Sequence, residues 1–384
     1  MRAAFIVLCL ISTACGGLRT TPDGGSGGGT SGAGGGTSGT GGSSGTGGGT
    51  SGTGGGTGGT GGGTSGTGGG TATGGGSGGG TGMLRFASVA VAATSGDYIV
   101  GISGRSGETY AISDVAHLFL STGGGFTQIL NTGLTGTGKG VYVASNGAVF
   151  PVTQRQLGSC LSNCTMGSSY TVQATATSVD VEAVCGRSET EVYAVIEDIS
   201  FNAQLWKWSG TMWTNMVNNL GVRYPRACVV LSDGTVAVAG QTSVAFHLNG
   251  ITTVETAATV PPLTNNESQS HQWYTLGLAG SKLWAGGYYR RVSVRNGVDT
   301  WQLTTFMSTF ATTWAIGGVT ETEVLAGGTA EGGITVRRFD GAMWRDLPAL
   351  PTITSVRSMF VAGPNEIYLG GTDGTNPAID KAFR

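Results

Sequence analysis

The feature that most constrains this chain is a unit of 40 to 47 residues that recurs from about residue 98 to the C-terminus. The unit is clearest from Glu182 to Trp213, where short apolar runs alternate with polar turns. The segment EVYAVI, which begins at Glu191, has the two-residue alternation of a half-buried strand. Ser209-Gly210 is a tight-turn signal between two apolar runs, because glycine adopts positive φ at little cost. The unit therefore predicts three or four short strands.

Aligning the second predicted strand of each unit gives seven copies. Their central residues are Tyr110, Phe150, Tyr193, Ala237, Trp284, Leu325 and Tyr368, separated by 40, 43, 44, 47, 41 and 43 residues. A period of roughly 40–45 residues with four strands is the signature of a β-propeller blade. We therefore predict an all-β fold, a β-propeller of seven blades with about four antiparallel strands each. A two-sheet sandwich and a six-bladed ring are the alternatives.

The two ends of the repeat region suggest how the ring closes. The last unit runs out after PAIDKAFR, which matches a third strand, so its fourth strand is missing. A strand-like segment is left over at residues 83–91, MLRFASVAV. If this segment supplies the missing strand, two exposed sheet edges are removed at once.

The first 15 residues read as an export signal, with Arg2, an apolar run and small residues before Cys15. The run is too short to span a bilayer, which takes about 20 residues. Its end, Ser12 to Gly16, resembles the lipobox of bacterial lipoproteins, although Ser12 stands where Leu is usual. The resemblance implies lipidation of Cys15 and an outer-membrane location. A plain signal peptide with an incidental cysteine is the alternative.

Residues 16–82 form a segment of a different kind. From Gly24 to Gly82 the chain is Gly, Thr and Ser except for Ala33 and Ala72. Such a segment has nothing to bury and cannot offset its chain entropy, so we expect a disordered linker with a root-mean-square span of about 45 Å. The predicted organisation is a signal peptide at 1–15, a linker at 16–82 and a propeller domain at 83–384.

The units resemble the degenerate propeller repeats of secreted bacterial lipoproteins, notably myxobacterial ones, whose pattern is close to VWAVG…G.I.HWDG..W. LWKWSGTMW, which ends at Trp213, and VRRFDGAMW, which ends at Trp344, carry the second half of that pattern. The resemblance covers residues 87–384. It implies an exported, lipid-anchored propeller.

Composition excludes one class of partner, and few residues suggest chemistry. Only 11% of residues are charged and the net charge is −2, which argues against a nucleic-acid binder. The histidines His117, His247 and His271 have no metal-like spacing. The segment GTGKG at 136–140 lacks the spacing of a phosphate loop. We therefore predict no cofactor and no metal, and assign no catalytic residue.

Several arginines are candidates for a sialidase-like site, which needs several converging Arg side chains. The candidates are Arg223, Arg226, Arg290, Arg291, Arg337 and Arg338, with Tyr288 and Tyr289. Their placement in the sequence does not distinguish them from solvated outer faces of strands. Most of the recurring Trp residues are expected to pack between blades, and Pro261 to Ser270 is a candidate binding loop because it is long and polar.

Four cysteines lie within the repeats. Cys160 and Cys164 share the longest insertion of the second unit, and in an exported protein a local disulfide is favoured over a metal or redox site. Cys185 and Cys228 occupy nearly equivalent first-strand positions of neighbouring units. They can form a bond only if their Cα atoms lie within about 7 Å, and the sequence leaves buried free thiols open as the alternative.

These observations favour a non-catalytic binding or scaffolding module, with a membrane contact through the lipid anchor and an envelope protein or polysaccharide as partner. A polysaccharide-directed hydrolase or lyase and a glycan-binding propeller are the alternatives. A converging acid and Arg cluster in the central funnel would favour the enzyme. An exposed aromatic platform would favour glycan recognition.

Overall fold

A computed structural model describes residues 84–93, 96–256, 273–288, 291–305, 310–330 and 335–384. These residues form strands, turns and one short 3₁₀ turn at Gly167–Ser169. The predicted signal peptide, Cys15 and the predicted linker lie outside the described residues, as do His271 and the loop from Pro261 to Ser270. Within the described part of the chain, no helix is long and apolar enough to cross a membrane.

The strands follow one another along the whole described region. The first fourteen are β1 (Arg85–Val89), β2 (Ile99–Arg105), β3 (Glu108–Ser113), β4 (Leu118–Ser121), β5 (Thr127–Ile129), β6 (Gly138–Val143), β7 (Val149–Thr153), β8 (Gln156–Ser159), β9 (Thr171–Ala174), β10 (Asp180–Ser188), β11 (Glu191–Glu197), β12 (Ala203–Trp208), β13 (Trp213–Val217) and β14 (Ala227–Val230). The others are β15 (Val236–Ala239), β16 (Ser243–Leu248), β17 (Ile251–Thr256), β18 (Trp273–Ala279), β19 (Lys282–Gly287), β20 (Arg291–Gly297), β21 (Thr300–Thr305), β22 (Phe310–Thr320), β23 (Glu323–Ala330), β24 (Val336–Phe339), β25 (Trp344–Asp346), β26 (Ser355–Gly363), β27 (Glu366–Thr372) and β28 (Pro377–Phe383).

The strands pair into four sheets of four and one sheet of twelve. The four-stranded sheets are β2–β5, β6–β9, β10–β13 and β14–β17, each an antiparallel meander. The larger sheet contains β18–β28 together with β1. Single residue pairings, Ala279 with Gly318 and Thr329 with Ser355, join its antiparallel sets. The prediction of an all-β fold with four-stranded sheets is confirmed.

The sheets are arranged as a closed ring around a central axis. Contacts between first strands run in the order β2, β6, β10, β14, β18, β22 and β26, and β26 in turn contacts β2. Each first strand is therefore flanked by two other first strands. Apolar clusters fill the space between neighbouring sheets. One of them joins Tyr193 of β11 to Val238 of β15.

The aligned second-strand residues explain why the repeat has its period. Each lies in the second strand of its set and each is buried, from Tyr110 in β3 to Tyr368 in β27. Apolar side chains on both faces of these strands, such as Ala194 and Val195 with 0% exposure, pack between two neighbouring sheets. The alignment of the units predicted this column correctly.

Small residues let the first strands crowd around the axis. A Cβ atom added to Gly101 in β2 would lie 2.8 Å from the Cα atom of Gly140 in β6. No side chain fits between the two backbones at this point. Glycine is therefore required for the close approach of the first two sheets.

The N-terminal strand closes the ring. β1 pairs antiparallel with β28, in a register that sets Arg85 opposite Phe383 and Val89 opposite Ile379. Leu84, just before β1, is 2% exposed and belongs to an apolar cluster with residues of β23, β26 and β27. This is the pairing that the leftover segment at residues 83–91 predicts.

Two disulfide bonds join the four cysteines of the repeats. Cys160 and Cys164 are bonded within one loop, with Cα atoms 5.7 Å apart. Cys185 of β10 and Cys228 of β14 are also bonded, again with a Cα separation of 5.7 Å. The second bond links the first strands of two neighbouring sheets.

Candidate functional site: the mouth of the central channel

A cavity of about 480 Å³ lies on the axis of the ring, lined by the first strands of all the sheets and the residues just before them. A volume of this size falls within the range of ligand pockets, roughly 300–1,000 Å³. The cavity is therefore large enough for a small ligand or for part of a larger one.

The cavity lining contains one structurally equivalent residue from each set of strands. In six first strands this residue is the extra one of a β-bulge, and in the seventh it is Arg226, which precedes β14 and donates its N–H to the Ala239 carbonyl oxygen. We call this set the mouth ring: Val100, Lys139, Glu182, Arg226, Tyr274, Trp314 and Arg357. A bulge re-aims the side chain at the point where it occurs. The start of every first strand therefore delivers one side chain to the channel.

One half of the mouth ring is an ion-paired cluster. The Glu182 side chain is 6% exposed, and both of its oxygens accept hydrogen bonds from Lys139 Nζ, at 3.1 and 3.0 Å. Arg226 Nη1 donates to the same carboxylate at 2.8 Å. Charge-assisted hydrogen bonds of this kind hold the three side chains in fixed positions. The cluster joins three consecutive sheets.

The other half of the mouth ring is aromatic. The ring centroids of Tyr274 and Trp314 are 4.5 Å apart, and those of Tyr274 and Tyr288 are 4.7 Å apart. Trp314 Nε1 donates to Thr329 Oγ1 at 3.1 Å. Burial, reinforced by Tyr288, raises the pKa of Tyr274 well above its usual range, so its hydroxyl stays neutral at physiological pH.

Arg357 lies on the aromatic half, and its charge has no counterion among the described residues. Its guanidinium carbon is 4.5 Å from the centroid of the Trp314 ring and 5.7 Å from that of the Tyr98 ring. Its Nε is buried without a hydrogen-bond partner in the described part of the chain. Nor does any carboxylate of the described residues form an ion pair with it. Within the described ranges, the contacts that hold this cation are with the faces of aromatic rings.

The charges that line the cavity do not cancel. Three are cationic, Lys139, Arg226 and Arg357, and two are carboxylates, Glu182 and Asp114, which leaves a net charge of +1. Asp114 Oδ1 accepts a hydrogen bond from the Tyr98 N–H at 2.9 Å. The whole chain has a net charge of −2, so the mouth is positive on a protein that is slightly negative. Such a mouth attracts anions.

Sequence reasoning identified only one member of the mouth ring as a candidate. Arg226 was among the arginines considered, and the structure places it at the channel. Arg337 and Arg338 lie in β24 and do not line the cavity. Lys139 belongs to the rejected GTGKG segment; it faces the channel, and no phosphate loop surrounds it. His117 and His247 bond to Asp97 and Thr252, away from the cavity lining.

The residues of the mouth ring share a regular spacing in the sequence. Its residues lie ten or eleven positions before the aligned centres of the second strands, as Lys139 precedes Phe150 and Glu182 precedes Tyr193. Six different residue types occupy the seven positions of this column, so no motif marks it. Only their convergence in space marks them as a site.

The side chains at the mouth are placed for ion pairing, hydrogen bonding and aromatic packing. Glu182 is the converging acid, and Lys139 and Arg226 both form ion pairs with it. Burial, followed by the charge of Glu182, raises the pKa of Glu197, but Glu197 does not line the cavity. Among the described residues, no group of three or more His, Cys, Asp or Glu side chains is placed to hold a metal ion. The channel therefore presents a bound carboxylate, three cations and a packed aromatic arc.

No protein-family model matches the chain, and a search of curated proteins finds no relative. Solved structures do match. A virginiamycin B lyase from Staphylococcus aureus aligns with a TM-score of 0.60 at 11% identity, over 78% of this chain and 99% of that one. The extracellular domain of BT4673 from B. thetaiotaomicron aligns at 0.56 and 13%, over 77% and 39%. The WD40 repeats of RRP9 align at 0.58 and 11%, over 78% and 100%.

These structural neighbours are β-propeller proteins, and the closed ring of sheets is a β-propeller fold. Identities of 11 to 13% establish the fold alone. The named neighbours include a lyase, a sensor's extracellular domain and a set of WD40 repeats, so function has to be argued from the mouth ring.

Proposed function

We propose that this propeller is a non-catalytic binding module that holds its ligand at the mouth ring. The observation that carries the proposal is the convergence of one side chain from every first strand on a single cavity with a net positive charge. Ligand sites combine a mostly apolar lining with a few fixed polar groups. Here Trp314 and Tyr274 supply the apolar surface, and the Glu182 cluster supplies fixed polar groups.

We also infer a propeller of seven blades. The single pairings at Ala279–Gly318 and Thr329–Ser355 support dividing the twelve-stranded sheet into three sets of four strands. β1 then completes the last set beside β28. Together with the four separate sheets, this division matches the seven aligned repeats.

We propose that the propeller is exported and displayed on a bacterial outer membrane through a lipid on Cys15, with residues 16–82 as a tether. The lipobox-like sequence supports the anchor, and the two disulfides support an oxidising compartment. Metabolic labelling with an alkyne fatty acid tests it. We expect the wild type to be labelled and Cys15→Ser to remain unlabelled; equal labelling of both would reject the anchor.

The binding proposal is tested with the full chain, immobilised and exposed to detergent-solubilised envelope. Trp314→Ala removes an aromatic side chain of the mouth ring. Trp206→Ala is the matched control, because Trp206 is also half-buried but lies in β12 outside the cavity lining. We expect saturable retention by the wild type and the control, and loss of retention by Trp314→Ala. Equal retention by all three folded proteins would rule out the mouth as the site.

A polysaccharide hydrolase is the second candidate, and one observation favours it. Burial, followed by the charge of the neighbouring Glu182, raises the pKa of Glu197. A carboxyl group whose pKa is raised beside a second carboxyl group is the usual general acid of a glycosidase. Release of reducing ends from envelope polysaccharide, abolished by Glu197→Gln and kept by Glu191→Gln, would establish this candidate. Absence of release by the wild type would remove it.

A further inference from the structure

We infer that the ligand of the mouth ring is an acidic polypeptide segment, whose carboxylate is bound by the Arg357 guanidinium. This inference rests on the proposed function, because it names the ligand class of the same site. Three observations carry it. Arg357 has no ion-pair partner among the described residues, aromatic rings hold its guanidinium, and little aromatic surface is open at the mouth.

The position of Arg357 leaves the edge of its guanidinium available for a ligand. Trp314 and Tyr98 lie against the group at 4.5 and 5.7 Å, measured from the guanidinium carbon to each ring centroid. These rings cover part of the guanidinium and its Nε is buried, so the proposed ligand carboxylate meets the two terminal nitrogens, in the plane of the group. A carboxylate bound in that plane accepts two parallel hydrogen bonds. The site is thus preorganised for an anion.

In the ion-paired half of the mouth ring, the two cations outnumber the lining carboxylate that bonds to them. Lys139 and Arg226 both pair with the carboxylate of Glu182, which is the only carboxylate that bonds to them among the described residues. Glu197 also interacts electrostatically with both cations, but it lies outside the cavity lining and burial raises its pKa. The half-buried Lys139 and Arg226 can therefore also attract a ligand anion, while Glu182 keeps them in place. This arrangement predicts the direction of one effect: removing the charge of Glu182 strengthens the binding of anions.

The aromatic residues favour a peptide over a sugar. Saccharide recognition by stacking needs an open ring face. Here the Trp314 ring contacts Arg357 and lies 4.5 Å from the Tyr274 ring, and Tyr98, Tyr274 and Trp314 are each half-buried. These rings pack against Arg357 and against one another, which reduces the ring face left open for a sugar to stack on. The mouth therefore recognises its ligand by charge and hydrogen bonds, which an acidic peptide provides along its whole length.

The test is fluorescence anisotropy of a labelled oligoglutamate peptide with the purified full chain. Oligoglutamine is the uncharged control, and oligogalacturonate represents an acidic saccharide. We expect oligoglutamate to bind more tightly than both, with an affinity that falls as salt increases. Arg357→Gln should weaken binding about tenfold or more, the loss of a charge-assisted hydrogen-bonding pair. Glu182→Gln should strengthen it.

Two further variants separate a specific loss from a general one. Arg345→Gln makes the same charge change in the β24–β25 hairpin, outside the cavity lining, and should bind like the wild type. Arg357→Lys keeps the charge but loses the planar fork, and should give an intermediate affinity. A thermal melt of each variant shows that the protein is folded.

Each of three outcomes would overturn the inference. These are no binding of oligoglutamate, equal weakening by Arg357→Gln and Arg345→Gln, and tighter binding of oligogalacturonate. If oligogalacturonate binds more tightly than oligoglutamate and Trp314→Ala abolishes its binding, the ligand class is wrong but the mouth remains the binding site. If Trp314→Ala also leaves envelope retention unchanged, the proposed function fails as well.

Discussion

Breaking the disulfide between Cys185 and Cys228 should cost more stability than breaking the one between Cys160 and Cys164. Both bonds have the same Cα separation, 5.7 Å, but their cysteines are 43 and 4 residues apart in sequence. A cross-link stabilises mainly by restricting the unfolded chain, and the restriction grows with the loop that it closes. The chain thus contains its own matched control. The perturbations are the two double variants, Cys185→Ala/Cys228→Ala and Cys160→Ala/Cys164→Ala.

The loop lengths give the magnitude. The loop-closure relation gives about 4 kcal/mol for the long loop and about 2 kcal/mol for the short one, a difference of about 2 kcal/mol. The loss of packing predicts the opposite order, because it should cost more stability at the pair that is more deeply buried. Cys160 and Cys164 are both buried, at 1% and 6% exposure, whereas Cys228 is only half-buried. A larger loss from the Cys185–Cys228 pair therefore reflects the linkage between sheets.

The assay is equilibrium unfolding of the full chain in urea, with the free energy of unfolding extrapolated to water. Coincident transitions by fluorescence and circular dichroism would establish two-state behaviour. Equal losses for the two double variants, or a larger loss for the short loop, would refute the loop-closure reasoning. Either result would place the stabilisation in the folded state.

Three further variants test the fold. Leu84→Ala should cost about 2–5 kcal/mol, as for a core residue, whereas Leu130→Ala, at an exposed position, should stay within about 0.5 kcal/mol in the same urea assay. Equal costs would mean that Leu84 is not part of the core. Burial lowers the pKa of His247, so the unfolded state binds more protons below about pH 6.5, and stability should fall as the pH drops through this range. His247→Gln should flatten that decline in a series of thermal melts; an unchanged slope would contradict this. Gly101→Ala should lower the melting temperature because its Cβ would meet the backbone of β6, whereas Gly124→Ala, with open space around it, should not.

The strands were predictable because local alternation encodes them. EVYAVI became β11, and the Ser209-Gly210 turn separates β12 from β13. Ring closure was predictable for a different reason. The last repeat lacked a strand, and residues 83–91 had no other place in the pattern. Both inferences depend only on period and count, which a sequence displays directly.

The mouth ring was not predicted, because its members share a position in the repeat but do not share one type of side chain. Val100 and Trp314 occupy equivalent bulges, yet nothing in their side chains suggests that the two positions are equivalent. A bulge adds one residue without disturbing the apolar period on either side. The expectation that Trp residues pack between blades holds for the fully buried Trp213 and Trp284, and Trp314 is an exception that faces the channel.

Pairing β1 with β28 also fixes the order of events during synthesis. β1 leaves the ribosome first but pairs with residues that lie about 290 positions later in the chain. Contacts so distant in sequence form slowly, and unpaired strand edges promote aggregation until they form. The sequence of β1, RFASV, begins with a charge and contains a serine, and most of its side chains remain exposed after pairing. A strand that must wait longest for its partner is therefore the one least inclined to associate with the wrong one.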